Sequence, residues 1–309
     1  MAASGDGRVR SVIAECSVLT DEPMSRHTTF GIGGPAQFFS TAISMESLVA
    51  LARWARSEGI DYRVIGSGAN LLVNDAGVRG LVIVNRAASC RLSTTTGKLH
   101  AGSGALLSDL ALYTAVTGWS GLEWAVGIPG SLGGAIVGNA GAFGGYMENV
   151  IIGVDVLAAQ GELRRLDHSE CGFAYRSSCF KMPAGTGHSE PIASAVILEA
   201  ELLLQRGEHQ ELQDRVAGYV ARRAAAQPDE PSAGSIFKRT SDQAAGWLIE
   251  QVGLKGRRIG GAVISPRHGN FIVNLGGATS ADVLALIALG KSKVKEHFGL
   301  ELELEIELV

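Results

Sequence analysis

Three stretches of this sequence could do chemistry. The first would act through its backbone. Gly127 to Gly145 contains eight glycines in nineteen residues. Interior glycine costs chain entropy and adds no packing, so this density does not suit an ordinary helix or strand. It suits a chain that lies close against a large ligand and offers it bare N–H groups. A flexible linker would be rich in serine and poor in apolar residues. Here Ile128, Leu132, Ile136, Val137 and Phe143 interleave with the glycines, and ligand contact is the preferred reading. The second stretch is Tyr175-Arg176. A guanidinium pairs with a carboxylate at two points, so Arg176 could position an anionic substrate; a surface ion pair is the ordinary alternative. The third is the turn Gly66-Ser67-Gly68-Ala69-Asn70-Leu71-Leu72, which follows a strand-like segment. Glycine turns after strands can bind phosphate. The dinucleotide fingerprint would need glycine at 71, where Leu71 stands, so a diphosphate site and a plain tight turn both stay open.

Other residues carry weaker signals. Ser235 follows Gly234 in a turn, but the nucleophile elbow GxSxG is absent and no Ser/His/Asp order emerges. His27 could be a ligand or a covalent flavin attachment point; a polar loop histidine is the commoner case. Cys16, Cys90, Cys171 and Cys179 form no CxxC pair and read as reduced cytosolic thiols. No metal-ligand spacing occurs, and no metal is expected.

The elements that must position these groups are legible in part. The glycines and Pro35 mark His27 to Ala36 as a loop, and Gln37 to Phe39 reads as a strand. Ser44 to Gly59 is a helix, with Ser44 as N-cap, Leu48, Leu51 and Ala55 on one face, and Gly59 at its end. Tyr62–Ile65 and Gly80–Asn85 are strands, and Leu106–Thr117 is a helix leading to the glycine stretch. Ile151–Ala158 and Ile192–Leu204 are strands. Arg206 to Glu211 reads as a domain boundary before a charged helix, His209–Gln227, which Pro228 and Pro231 stop. Gln243–Val252 is a helix, Arg267 to Asn274 is a polar turn entering a strand, and Ser280 caps a last helix that Gly299 ends. The ending from Leu300 to Val309 alternates strictly. It predicts a strand with its even positions buried and Glu301, Glu303, Glu305 and Glu307 on the other face, and periodicity singles out none of the four.

The chain has 309 residues, 46% of them hydrophobic and 19% charged, enough for sizeable cores. A formal net charge of -4 argues against nucleic acid or an anionic membrane as partner. The start has no apolar secretory core, and the apolar runs are too short to span a bilayer. A cytoplasmic enzyme, acting as a monomer, is the expectation.

Six of these segments, in this order, resemble one family. They are Thr28 to Ala36, Gly66 to Leu72, Gly127 to Gly144, Tyr175-Arg176-Ser177-Ser178, Gly234-Ser235-Ile236-Phe237-Lys238 and Leu302-Glu303-Leu304-Glu305. The chain, from about residue 24 to its end, is similar to UDP-N-acetylenolpyruvoylglucosamine reductases. The short connection between Arg176 and the Gly234 turn resembles the shorter subtype, which lacks an extra aromatic-bearing loop.

The resemblance implies an α+β fold: a FAD-binding region of the vanillyl-alcohol-oxidase type over residues 1–206 (subdomains at about 1–85 and 86–206), and a substrate-binding α+β domain over 207–309. It implies non-covalent FAD and NADPH, and reduction of the enolpyruvyl ether of UDP-N-acetylglucosamine in peptidoglycan precursor synthesis. Arg176, Ser235 and Glu305 match the catalytic residues. Gly31, Gly33, Gly66, Ser67, Gly68, Ala69, Asn70, Leu71, Gly127, Pro129, Gly130, Gly133, Gly134, Asn139 and Gly141 match cofactor-binding positions. Tyr175, Lys238, Lys255, His268 and Asn270 lie in segments that resemble the nucleotide-sugar site. Departures from the family pattern are Ala69 in the diphosphate turn, Thr240 after Lys238-Arg239, and Leu304 before the matched glutamate. They leave room for a relative acting on a modified sugar. An oxidase on the same fold and a binding protein without turnover are the other readings.

Overall fold

The computed structural model describes residues 17–181 and 195–309. Cys16 and the first residues of the strand expected from Ile192 lie outside them. The chain packs as two compact units.

The first unit holds Phe39–Gly66 and Leu81–Ala221, with the described residues up to Leu19. Its centre is a five-stranded antiparallel sheet in the order Leu163–Asp167, Ile151–Leu157, Val196–Leu203, Lys98–Gly102, Cys90–Leu92. Alternation along these strands buries one face: Leu99, Val154, Ala200 and Leu202 join Leu107, Leu122, Leu132, Ile136 and Met147 in one core. Removing such side chains from water is the main force holding the unit together. Tyr62–Ile65 pairs in parallel with Leu81 to Val84. The helix Met45–Ser57 starts as its sequence predicts. The Ser44 hydroxyl accepts from the Ser47 N–H at 3.2 Å, the Ser47 hydroxyl answers the Ser44 N–H, and Leu48, Leu51 and Ala55 are buried.

The expected boundary at Arg206 falls inside this unit. Gln205–Arg206 is a short strand against Trp119–Ser120, and the Arg206 guanidinium lies 4.4 Å from the Trp119 ring centre. The helix His209–Ala226 then continues past the end of the unit at Ala221.

The second unit gathers Thr20–Phe38, Ser67–Gly80 and Arg222–Val309. Its four-stranded antiparallel sheet runs Ser232–Ser235, Phe271–Asn274, Ala262–Ile264, Arg258–Ile259. Helices Ala245–Gln251 and Ser280–Phe298 bury Leu248, Ile249, Val283 and Leu286 in a second core with Phe30, Ile272 and Ile306. The cap of the last helix is Thr279, one residue before the expected Ser280. Thr279 is still extended and its hydroxyl accepts from the Asp282 N–H at 3.1 Å, whereas Ser280 is already helical and its hydroxyl accepts from the Asp75 N–H. Gly299, at φ +69, ends the helix. The N-terminal loop belongs here because the Thr29 hydroxyl donates to the Ser232 carbonyl at 2.7 Å and the Asn274 amide to the Phe30 carbonyl at 3.0 Å.

The terminal stretch corrects the periodicity. It is not one strand. Leu304 forms a single bridge with Phe237, and only Glu307–Leu308 pairs further, in parallel with Leu71–Leu72. Leu302 and Ile306 are buried, but Leu308 is 48% exposed. The segment changes partner part-way along, so no continuous ladder can form.

Candidate active site

In the second unit, Ser235 ends a strand that Gly234 bends at φ +74. Asn270 holds the turn from behind. Its Oδ1 accepts from the Phe237 N–H at 2.9 Å, its Nδ2 donates to the Phe237 carbonyl at 2.8 Å, and its own carbonyl accepts from the Ile236 N–H at 2.9 Å. The Asn270 amide is thus buried and engaged by backbone. The terminal segment lies along the same turn. The Lys238 N–H donates to the Glu303 carbonyl and the Glu305 N–H to the Ile236 carbonyl, both at 2.9 Å. This ladder sets Glu305 opposite Ile236, the residue that follows Ser235. Among the four glutamates, Glu305 alone is half-buried; Glu301, Glu303 and Glu307 are exposed. Burial in a polar ladder makes a carboxylate more responsive to its partners than one in open water.

The turn at Ser67 joins this assembly. The Asn70 Nδ2 donates to the Glu305 carbonyl at 3.0 Å, and the Glu307 N–H to the Asn70 carbonyl at 2.9 Å. Gly68 sits at φ +65, where a Cβ would strike the backbone of His27. The Ser67 hydroxyl is buried with no hydrogen-bond partner in the chain. A buried donor of this kind, in a turn of bare N–H groups, fits a phosphate oxygen. Gly31 and Gly33 lie in the loop after Met24–Arg26 at φ +65 and +143, and Gly33 packs on Val73 and Met24. His27 is 2.9 Å from Glu22, in keeping with a polar loop residue.

His268 and Lys255 also belong to this unit. The Asn270 N–H donates to His268 Nδ1 at 3.1 Å, which places the neutral ring's proton on Nε2. Burial, then the Lys255 ammonium, holds the His268 pKa below its usual range, against the opposing pull of Glu250. Lys255 is half-buried and 3.4 Å from Glu250. Lys238 pairs with the exposed Glu303 at 3.0 Å.

In the first unit the glycine stretch separates into two kinds of position. Ser131 caps the short helix Leu132–Val137. A Cβ at Gly66 would strike the Ser131 hydroxyl, one at Gly141 the Tyr146 ring, and one at Gly145 the Trp124 ring. Gly133 fits against Ser103. Internal packing therefore demands these glycines. Gly130 and Gly144 have no atoms within 4 Å of a built Cβ, and both sit at positive φ. Gly127, Pro129 and Gly134 are exposed. The Gly127 and Gly134 N–H groups donate to the Ser108 and Ser131 hydroxyls and Pro129 has none, so these positions present exposed backbone surface rather than free donors.

Arg176 is half-buried at the tip of a hairpin in the same unit. Ala174 and Ser177 exchange both backbone bonds at 3.0 Å around Tyr175-Arg176, and Arg176 takes φ +53. Tyr175 is exposed, with the guanidinium 5.6 Å from its ring centre. Asn139, expected at a cofactor position, is fully buried and gives its side-chain amide to the Ala174 carbonyl at 3.0 Å. Sequence reasoning also missed Glu123, a buried carboxylate that accepts from the Ser120 hydroxyl and the Gly121 N–H and pairs with Arg215 at 3.2 Å. The only available signal was an acidic residue between two tryptophans. Among the described residues no group of three or more His, Cys, Asp or Glu could hold a metal ion, and no helix is long and apolar enough to cross a membrane.

Comparison with known proteins gives this geometry a family. Residues 36–167 match the model of an FAD binding domain, and residues 227–309 that of the UDP-N-acetylenolpyruvoylglucosamine reductase C-terminal domain. A protein of Heliobacterium modesticaldum named UDP-N-acetylenolpyruvoylglucosamine reductase is 44% identical over 294 residues, covering 94% of this chain and 90% of its own. A protein of the same name from Caldanaerobacter subterraneus subsp. tengcongensis is 41% identical, covering 98% and 97%. The crystal structure of the reductase from Thermus caldophilus aligns with TM-score 0.77 and 36% identity, over 95% of this chain and 98% of that one. The expected α+β class, with an FAD-binding region and a further α+β region, holds, and the chain belongs to the UDP-N-acetylenolpyruvoylglucosamine reductase family.

Proposed function

We propose that the protein reduces the enolpyruvyl ether of UDP-N-acetylglucosamine to UDP-N-acetylmuramate, with FAD as cofactor and NADPH as reductant, in peptidoglycan precursor synthesis. The observation that carries this reading is the backbone ladder joining the Ser235 turn to Glu305, at the end of a chain related to the reductases over nearly its whole length. Bound FAD supplies two-electron hydride chemistry, which no amino-acid side chain can perform. Ser67, Gly68, Ala69 and Asn70 would hold its diphosphate, the buried Ser67 hydroxyl finding its acceptor there. The open backbone around Gly130 and Gly134 would lie against the ring system.

The protein's own residues then divide the remaining work. Hydride addition at C3 of the enolpyruvyl group leaves negative charge on C2 and the adjoining carboxylate. Arg176 would hold that carboxylate at two points and stabilise the developing charge. Ser235 would deliver the proton to C2 as general acid. Glu305 would orient the groups around that transfer. Tyr175, Lys238, Lys255 and His268 would contact the nucleotide sugar, while Asn270 shapes the Ser235 turn. The family matches at 36–167 and 227–309 support a flavin-binding region followed by a C-terminal domain, and the substrate role is assigned to the latter. A nucleotide-sugar substrate with NADPH supports a cytoplasmic setting.

The test is direct. Purified protein should be yellow, release FAD on denaturation, and oxidise more than one equivalent of NADPH per flavin only when the UDP-enolpyruvyl sugar is present. Oxygen-dependent turnover without that sugar would overturn the assignment in favour of an oxidase.

A further inference from the structure

A non-glycine residue at φ +53 is held there by its surroundings, because left-handed backbone crowds the Cβ. For Arg176 the surroundings are specific. The Ala174 carbonyl, already bonded to the Ser177 N–H, accepts a second hydrogen bond from Asn139 Nδ2 at 3.0 Å. On the other side of the turn the Ser178 hydroxyl donates to the Val137 carbonyl at 2.8 Å. Asn139 and Ser178 are both fully buried, and the other end of the Asn139 amide is engaged too, since Oδ1 accepts from the Glu148 N–H at 3.1 Å. The Asn139 side chain is therefore committed inside the first unit and has little left to offer a ligand. What it touches is the bridge that closes the turn carrying Arg176.

We propose that Asn139 and Ser178 are positioning residues for the reaction. Together they pin both flanks of the Arg176 turn to the end of the helix Leu132–Val137, and so set the guanidinium at the angle that two-point carboxylate binding requires. This rests on the reading of Arg176 as the group that holds the substrate carboxylate. A bidentate contact tolerates little rotation of the guanidinium plane, so a turn released on one flank should lose affinity without losing charge. The same clamp joins the glycine stretch to the arginine, and a shift in one would be felt by the other.

The experiment uses FAD-loaded protein and UDP-N-acetylenolpyruvoylglucosamine, with the affinity of the oxidised form read from the change in flavin absorbance. The variants are Asn139→Gly, Ser178→Ala, Arg176→Ala and each of the first two combined with Arg176→Ala. Glycine at 139 can keep the backbone at its φ of +41 while removing the side chain and its bonds to Ala174 and Glu148. Asn139→Gly and Ser178→Ala should each weaken binding about 10-fold, roughly one hydrogen bond's worth of affinity. In the Arg176→Ala background neither should weaken it further. Asn139→Asp adds a readout that simple packing would not move. Its carboxylate repels the Ala174 carbonyl, and its protonated form can donate again, so its affinity relative to the parent should recover as pH falls. Equal losses with and without Arg176 would overturn the proposal, as would unchanged binding in both single variants. If Asn139→Gly does not fold, the Ser178 pair supports the same comparison. Unimpaired binding and turnover in Arg176→Ala alone would remove the arginine's own role, and the clamp's with it.

Discussion

Asn70 gives its side-chain amide to the main-chain carbonyl of Glu305, at 3.0 Å and across 235 residues of sequence. The turn matched to the cofactor diphosphate and the matched catalytic glutamate are thereby parts of one backbone assembly. Asn70→Ala should destabilise the second unit by about 0.5–1.5 kcal/mol, the net worth of one hydrogen bond. Asn70→Asp should cost at least as much, since it turns a carboxylate toward a carbonyl. Denaturant unfolding measures both, and parental stability in either variant would count against the link.

Ser235→Ala separates the two halves of the reaction. Reduction by NADPH needs no proton at C2, and flavin bleaching should keep its rate. Reoxidation by the enolpyruvyl sugar should slow by about 10²-fold, the scale of losing a positioned acid. Ser235→Cys keeps a donor in place and should regain part of that rate. Stopped-flow absorbance resolves the halves, and equal slowing of both would assign Ser235 to the turn's packing alone.

Arg176→Lys keeps the charge but removes the planar fork. Losing one charge-assisted hydrogen bond costs about 1.5–3 kcal/mol, or roughly ten- to a hundredfold in kcat/KM. Near-normal kcat/KM in the lysine variant would refute two-point binding.

His268 gives the second unit an acid-sensitive stability. Burial and Lys255 lower its folded pKa, so in the unfolded chain it takes up a proton first as pH falls. Its contribution is present above the unfolded value of about 6.5 and is lost as pH falls below it. Stability measured against pH should decline below about 6.5, and His268→Gln should flatten that decline. An unchanged slope would show that His268 is not its source.

Thiol labelling should follow burial. Burial raises all three described thiols, Cys171 to about 12 and Cys179 to about 11, but Cys90 is exposed. Reactivity belongs to the thiolate. At neutral pH a thiol reagent should modify Cys90 well before Cys171 and Cys179, which should react only on unfolding. Early labelling of Cys171, read by peptide mass, would contradict the packing.

Local chemistry was open to the sequence because its causes are local. The Ser44 cap acts through Ser47, three residues on, and the helix it starts buries Leu48, Leu51 and Ala55 at helical spacing. Gly299 ends the last helix for a reason carried by glycine alone. Six short motifs in one order were enough to name the family, because each glycine turn or catalytic type is written in adjacent residues. The tertiary structure decided the rest. Four glutamates alternate identically at the terminus, and only the pairing with Ile236 and Asn70 makes Glu305 the half-buried one. Asn139 and Asn270 read as ligands, yet their amides are spent on Ala174 and Phe237, 35 and 33 residues away. Where a buried amide points depends on which backbone groups lack partners after folding, and residues that far along the chain do not reveal this in sequence.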